Sequence, residues 1–196
     1  MKKILIPALS ILLAAAVLFG LSFGLKGVAD KNAEAEKLEL MQTLLPGSES
    51  FILEPYTGED VNVRSVHKAD NGFVIETVVY GYADNIRMLI GVKNDGKVTG
   101  LVVREAHETV GLGNNALTDH EFLSQFLNSS GSFEIATNGA DAFSGATGSD
   151  TTETDTYVDS ISGATVTSKA IARCVNSAVS YVTGADIDSG ATSWGG

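Results

Sequence analysis

The period of the apolar positions changes along this chain, and each change marks an element. Ile4 to Leu25 is almost unbroken in apolar and small residues, interrupted by Pro7, Ser10 and Ser22 and carrying no charge. At about 1.5 Å rise per residue such a run crosses a hydrocarbon core about 30 Å thick. Residues 4–25 therefore read as a transmembrane helix behind a three-residue N-terminus. Residues 26–50 read as a helical linker, with Ala33 to Leu45 helical and stopped at Pro46-Gly47. The period then shortens to two. Val61 to Val66, Phe73 to Tyr80, Met88 to Val92 and Val98 to Arg104 read as strands, with Asn94-Asp95-Gly96 as a tight hairpin between the last two. Thr118 to Leu127 returns to helical spacing and carries a capping box, Thr118 with Glu121. Residues 129–157 are rich in Gly, Ser, Thr and Asp and read as an inserted polar loop, with Phe133-Glu134-Ile135 as its one short strand. In the run Lys169 to Val182, the residues Ile171, Cys174, Val175, Ala178 and Val182 share one helical face. Residues 184–196 read as a flexible or partner-docking tail. The expected fold is α+β: one domain over 51–183, with an antiparallel sheet and flanking helices, behind a membrane anchor.

Charge sets the orientation and removes some function classes. Lys2 and Lys3 precede the apolar run, so the positive-inside rule puts the N-terminus in the cytoplasm and the domain on the outer face of the cell membrane. A cleaved signal peptide, processed near Ala14-Ala15-Ala16, is the competing reading. The apolar run continues well past those alanines, which favours a retained single-pass anchor. The chain has 13 Lys+Arg against 24 Asp+Glu, a net charge of −11. Lys2, Lys3 and Lys26 come before any acid, so the remainder holds 10 bases against 24 acids. Such an acidic domain lacks the basic patch that nucleic acid requires and is repelled by anionic lipid. One cysteine, Cys174, rules out an intrachain disulfide, a cysteine-ligated iron–sulfur cluster and a C-x-x-C-H haem attachment. His67, His107 and His120 show no metal-ligand spacing, so no metal site is expected.

The pattern D-x-x-S-G-A-T occurs at Asp141 to Thr147, Asp159 to Thr165 and Asp186 to Thr192. Only the middle copy runs into a helical pattern. A small, glycine-containing turn feeding a helix N-terminus presents free N–H groups and the positive end of the helix dipole, which suits a phosphate. Helix capping by Ser or Thr is the simpler reading of S-G-A-T alone. The full motif with its helix resembles the flavin-attachment motif of the FMN-binding domain family found in Rnf and Na⁺-translocating NADH:quinone reductase complexes. A second stretch, Glu108-Thr109-Val110-Gly111-Leu112-Gly113, is similar to that family's E-T-P-G-L-G segment, with Val110 where proline is usual. Gly81-Tyr82 to Ile86 and Lys97 to Val103 resemble the strands around it.

The resemblance implies FMN bound covalently, its phosphate esterified to the hydroxyl of Thr165 by a flavin transferase that recognises Asp159. It also implies that Ser162, Gly163, Ala164, Thr167 and Ser168 hold the phosphate end, while Glu108, Thr109, Gly111, Leu112 and Gly113 line the isoalloxazine. With no cysteine cluster or haem site, the flavin would carry any electrons. The implied assembly is a membrane complex of the Rnf type, in which this chain is the G-type subunit beside the other membrane and peripheral subunits. That complex passes electrons between ferredoxin and NAD and moves Na⁺ or H⁺, and the subunit alone has no turnover. The competing readings are the C-type subunit of the NADH:quinone reductase, a free-standing extracellular flavin carrier, and an unflavinylated surface-binding module. The copies ending at Thr147 and Thr192 lack the following helix and read as drift in Gly/Ser/Thr/Asp-rich sequence.

Overall fold

Alternating apolar residues build a five-stranded antiparallel meander in the order β1-β2-β3-β4-β5. The strands are β1 (Ile52–Glu54), β2 (Val63–Lys68), β3 (Gly72–Tyr80), β4 (Asn85–Lys93) and β5 (Val98–Glu105). The structure, a computed structural model, describes Phe19, Asn32 and residues 34–130, 132–136 and 156–185. Apart from Phe19, the expected membrane anchor lies outside the described residues. So do the first and third D-x-x-S-G-A-T copies and the tail from 186 onward. Among the described residues no helix is long and apolar enough to cross a membrane. The chain divides into two units, Met1–Leu40 and Met41–Gly196. Residues 34–40 of the first are helical, and the second begins with helical residues 41–44.

One face of the sheet carries the main core. Ile75, Val79, Ile86, Met88, Ile90 and Val92 are buried there, with Ile75 opposite Ile90 and Val79 opposite Ile86. The long helix α3 (Thr165–Thr183) packs against β3 and β4 through Ile171, Cys174, Val175, Ala178 and Val179. Fully burying a side chain the size of Ile171, Val175 or Val179 contributes about 1.5–3 kcal/mol. Gly184, in the left-handed conformation at φ 68°, ends the helix, and its N–H donates to Ser180 O. Burial pushes the Cys174 thiol up to about 12, against hydrogen bonds with Thr77 and the Val79 backbone that act the other way, so it stays a protonated core side chain.

The other face has a smaller contact. Gly91 and Gly100 are opposite one another on β4 and β5. A Cβ at either would run into the Leu44 backbone, and Thr99 Oγ1 donates to Leu44 O at 2.6 Å. Two facing glycines thus form a slot in the sheet for the main chain at Leu44.

The second half departs from expectation in two places. The region 129–157 begins and ends in structure: β6 (Phe133–Ala136) pairs in parallel with β7 (Thr156–Asp159). The side-chain amide of Asn176 on α3 completes the free side of β6. Its Oδ1 accepts from Phe133 N at 2.9 Å and its Nδ2 donates to Phe133 O at 3.1 Å. The helix expected over Thr118 to Leu127 is two short helices, α1 (Gly113–Thr118) and α2 (His120–Ser124). Asp119, not Thr118, is the cap between them. Its backbone is extended and its Oδ1 accepts from Phe122 N at 3.0 Å, while Thr118 Oγ1 donates back to Asn114 O.

Candidate functional site

Three connections meet near the start of α3: Gly81–Asp84 after β3, Ala106–Leu112 after β5, and Ser160–Ala164 after β7. Two of them contain the same turn. Leu112 N donates to Thr109 O at 3.2 Å with Gly111 at φ 81°, and Ala164 N donates to Ile161 O at 2.9 Å with Gly163 at φ 79°. A positive φ at the third of four residues is the type II arrangement, which glycine adopts without strain. The glycines divide by purpose. A Cβ at Gly111 would meet nothing, and one at Gly163 would make ordinary contact with Leu112 Cδ2, so both serve backbone angle. A Cβ at Gly113 would collide with Glu108 Oε2 and Thr167 Oγ1, so that glycine serves space.

Between these turns lies a cleft of about 290 Å³. Tyr82 and Leu112 supply apolar surface, Gly113 and Thr167 lie deeper, and Gly163, Ala164, Thr165 and Val166 form the remaining edge. Tyr82 is 59% exposed and Leu112 43% exposed, so both present apolar surface at the cleft. At the Thr165 end, Ala164 occupies the N-cap position, and no side chain among the described residues caps the helix. The first intrahelical bond is from Ser168 N to Ala164 O, which leaves the N–H groups of Thr165, Val166 and Thr167 ahead of the helical ladder. An uncapped N-terminus beside an apolar cleft matches a ligand with an anionic end and a flat apolar end.

The hydroxyls of the motif are sorted by accessibility. Thr167 and Ser168 are fully buried. Thr167 Oγ1 donates to Glu108 Oε2 at 3.3 Å, and Ser168 Oγ accepts from Ile161 N at 3.4 Å. Ser162 is exposed on its turn and does not line the cleft. Thr165 is partly exposed, lines the cleft and stands at the first position of α3. Of the two threonines that line the cleft, it is the one not buried, and it stands at the N-terminus of the helix.

Glu108 is placed differently from its neighbours. Its Oε1 accepts from Tyr82 N at 2.8 Å and Ala83 N at 3.3 Å, while Oε2 faces Thr167. Thr109 and Val110 are exposed, and neither lines the cleft. Asp159 is also exposed, and its N–H donates to Gln125 Oε1 at 2.9 Å. Among the described residues no group of His, Cys, Asp and Glu could hold a metal ion. Tyr82 and Val166 line the cleft and were not singled out from sequence. The only sequence signal for Tyr82 was its place in the Gly81-Tyr82 pair.

Comparison with known proteins gives a consistent set of relatives. The profile of the FMN-binding domain matches residues 81–180, a span from the Tyr82 connection through most of α3. The chain is 30% identical to the G subunit of the ion-translocating oxidoreductase complex of Methanosarcina acetivorans over 193 residues, 92% of this chain and 93% of that protein. It is 30% identical to the G subunit of the Na⁺-translocating ferredoxin:NAD⁺ oxidoreductase complex of Acetobacterium woodii over 55% of this chain and 47% of that one. The proton-translocating counterpart of Clostridium ljungdahlii is 33% identical over 57% and 53%. Among solved structures, Shewanella oneidensis NqrC aligns with a TM-score of 0.45 and 18% identity over 74% of this chain and 73% of that one.

Proposed function

The chain belongs to the FMN-binding domain family, and from that membership we propose that it is a membrane-anchored electron carrier holding FMN covalently at Thr165. It is the G-type subunit of an Rnf-like complex that couples electron transfer between ferredoxin and NAD to Na⁺ or H⁺ movement. The observation that carries this reading is the position of Thr165, a reachable hydroxyl at the uncapped N-terminus of a long helix, on the edge of an apolar cleft. The near full-length relative is the G subunit of an ion-translocating oxidoreductase complex, which supports the assignment to such an assembly.

The residues fit the cofactor at both ends. The Thr165, Val166 and Thr167 N–H groups and the dipole of α3 would receive the phosphate, and the Gly163 turn would leave the approach open. Tyr82 and Leu112, which line the cleft, would hold the ring and shield part of it from water. FMN supplies reversible one- and two-electron chemistry when bound. Attachment is a group transfer by a flavin transferase that docks at Asp159. Thr165 Oγ1 loses its proton and gains the flavin phosphoryl group, while the pyrophosphate bond of a flavin dinucleotide donor breaks and releases a nucleoside monophosphate. The ester keeps the cofactor on a domain that residues 4–25 anchor at the outer face of the membrane, where lost flavin is not recovered.

The test is intact mass with in-gel flavin fluorescence after co-expression with a flavin transferase, for wild type beside Thr165→Ala. One FMN adduct that disappears in the variant is expected. An unmodified wild-type chain overturns the carrier reading. Fluorescence surviving in the variant overturns the site and moves it to Thr147 or Thr192.

A further inference from the structure

We propose that Glu108 is a positioning residue for the flavin-accepting turn: its carboxylate holds the Tyr82 connection and the first turn of α3 together, so that Thr165 is set in place before any flavin arrives. The inference rests on the reading of Thr165 as the acceptor. Three hydrogen bonds carry it. Oε1 takes the Tyr82 and Ala83 N–H groups, and Oε2 takes the Thr167 hydroxyl. One side chain from the β5–α1 connection thereby ties a residue that faces the ring end of the cleft to one just past the acceptor.

The socket around that carboxylate is built of glycine. A Cβ at Gly81 would collide with Oε1, and a Cβ at Gly113 would collide with Oε2. Both oxygens are thus enclosed by backbone on the sides where side chains would otherwise stand. Glu108 is not among the residues lining the cleft, although the neighbouring Leu112 and Gly113 are. Its charge is directed at protein donors, and charge-assisted bonds of this kind are roughly twice as strong as neutral ones. Thr167 lies two residues after Thr165 in the same helical turn, so fixing its hydroxyl fixes the direction from which Thr165 Oγ1 meets an incoming phosphate. The cost of misplacing a reacting group falls on rate.

The experiment measures the rate of flavin attachment by purified transferase with a flavin dinucleotide donor, for wild type, Glu108→Gln, Thr167→Val and the double variant. It adds amide hydrogen exchange on the same chains before attachment and the absorption spectrum and reduction potential of the adducts after it. Each single substitution is expected to slow attachment about tenfold, through the lost carboxylate charge in Glu108→Gln and the lost hydroxyl in Thr167→Val. The double variant is expected to be no slower than the slower single, because both break one link. Exchange at the Tyr82 and Ala83 amides should rise in Glu108→Gln, while adduct spectra and potentials match wild type. Thr167→Val keeps the shape of the core and gives an independent answer if Glu108→Gln folds poorly.

Attachment at the wild-type rate in both singles overturns the inference. So does additivity in the double variant, or a displaced potential, which would put Glu108 against the ring. A wild type that takes no flavin at all defeats the carrier reading and this inference together, a result distinct from normal attachment in the variants.

Discussion

Two turns of identical backbone plan face each other across the cleft, and they do different work. Thr109–Leu112 and Ile161–Ala164 each close with a hydrogen bond from the fourth residue to the first, each place a glycine near φ 80° third, and each lead into a helix. The helix after the first is α1, six residues long, and the helix after the second is α3, nineteen residues long. Only the longer helix has the length to develop a useful dipole at its first turn. The first junction accordingly supplies shape, in the form of the Leu112 side chain and the Gly113 socket, whereas the second supplies a hydroxyl and free donors. A shared turn does not make a shared function; the length of the helix it opens decides between them.

Substitutions separate the two junctions by size of effect. Beyond Thr165→Ala, which removes the proposed attachment atom, the largest effect is expected from Gly113→Ala. Its methyl meets Glu108 Oε2 and Thr167 Oγ1. Overpacking of that kind costs about 1–3 kcal/mol. The measurement is thermal unfolding together with attachment rate, and both should fall. Unchanged attachment in Gly113→Ala would mean that the two junctions are not coupled. Next come Gly163→Ala and Gly111→Ala, each forcing alanine into the left-handed region at about 1–2 kcal/mol. Their stability losses should match, since neither methyl meets a clash. Their attachment rates should not: Gly163→Ala slows attachment because it displaces the residues just before Thr165, and Gly111→Ala leaves it near wild type. Equal rates would erase the contrast. The smallest effect runs the other way. Val110→Pro puts the preferred residue at the second position of its turn and should stabilise by about 0.4–1 kcal/mol, read as a small rise in midpoint temperature.

Much of this arrangement was readable along the chain. β3 and β4 are long and rich in apolar and β-branched residues, β3 close to alternating and β4 with a continuous buried run from Met88 to Val92, and they emerged within a few residues of their expected bounds. The Ile161–Ala164 turn and the α3 face were also legible, because a glycine-closed turn and a helical apolar stripe are local signals. β1 and β7 were not. Ile52 and Leu53 of β1 are both largely exposed, and β7 buries only Val158, so neither carries an alternating pattern. The polar residues on the inner side of α3 were illegible for another reason. Thr167, Ser168, Asn176 and Ser177 are all buried, and on a helical wheel they read as solvent-facing. Their partners are Glu108, Ile161, Phe133 and Asn62, three of them distant in sequence. Glu108 was found by motif, but the direction of its carboxylate depends on glycines at 81 and 113 that only the folded chain brings to it.

The parallel pairing of β6 with β7 has a bearing on how this domain tolerates change. Four residues are locked in register, Phe133 with Thr156 through Ala136 with Asp159, and the motif begins at the last of them. Residues 137–155 join the two strands. At up to about 3.5 Å per residue that segment is far longer than the return path along a four-residue strand demands. Its length can therefore drift, each doubling adding only about 0.6 kcal/mol of closure entropy. The ladder would act as a firewall: its register is fixed by β6 and β7, so changes in the length of the joining segment are expected to leave the Ile161–Ala164 turn in place.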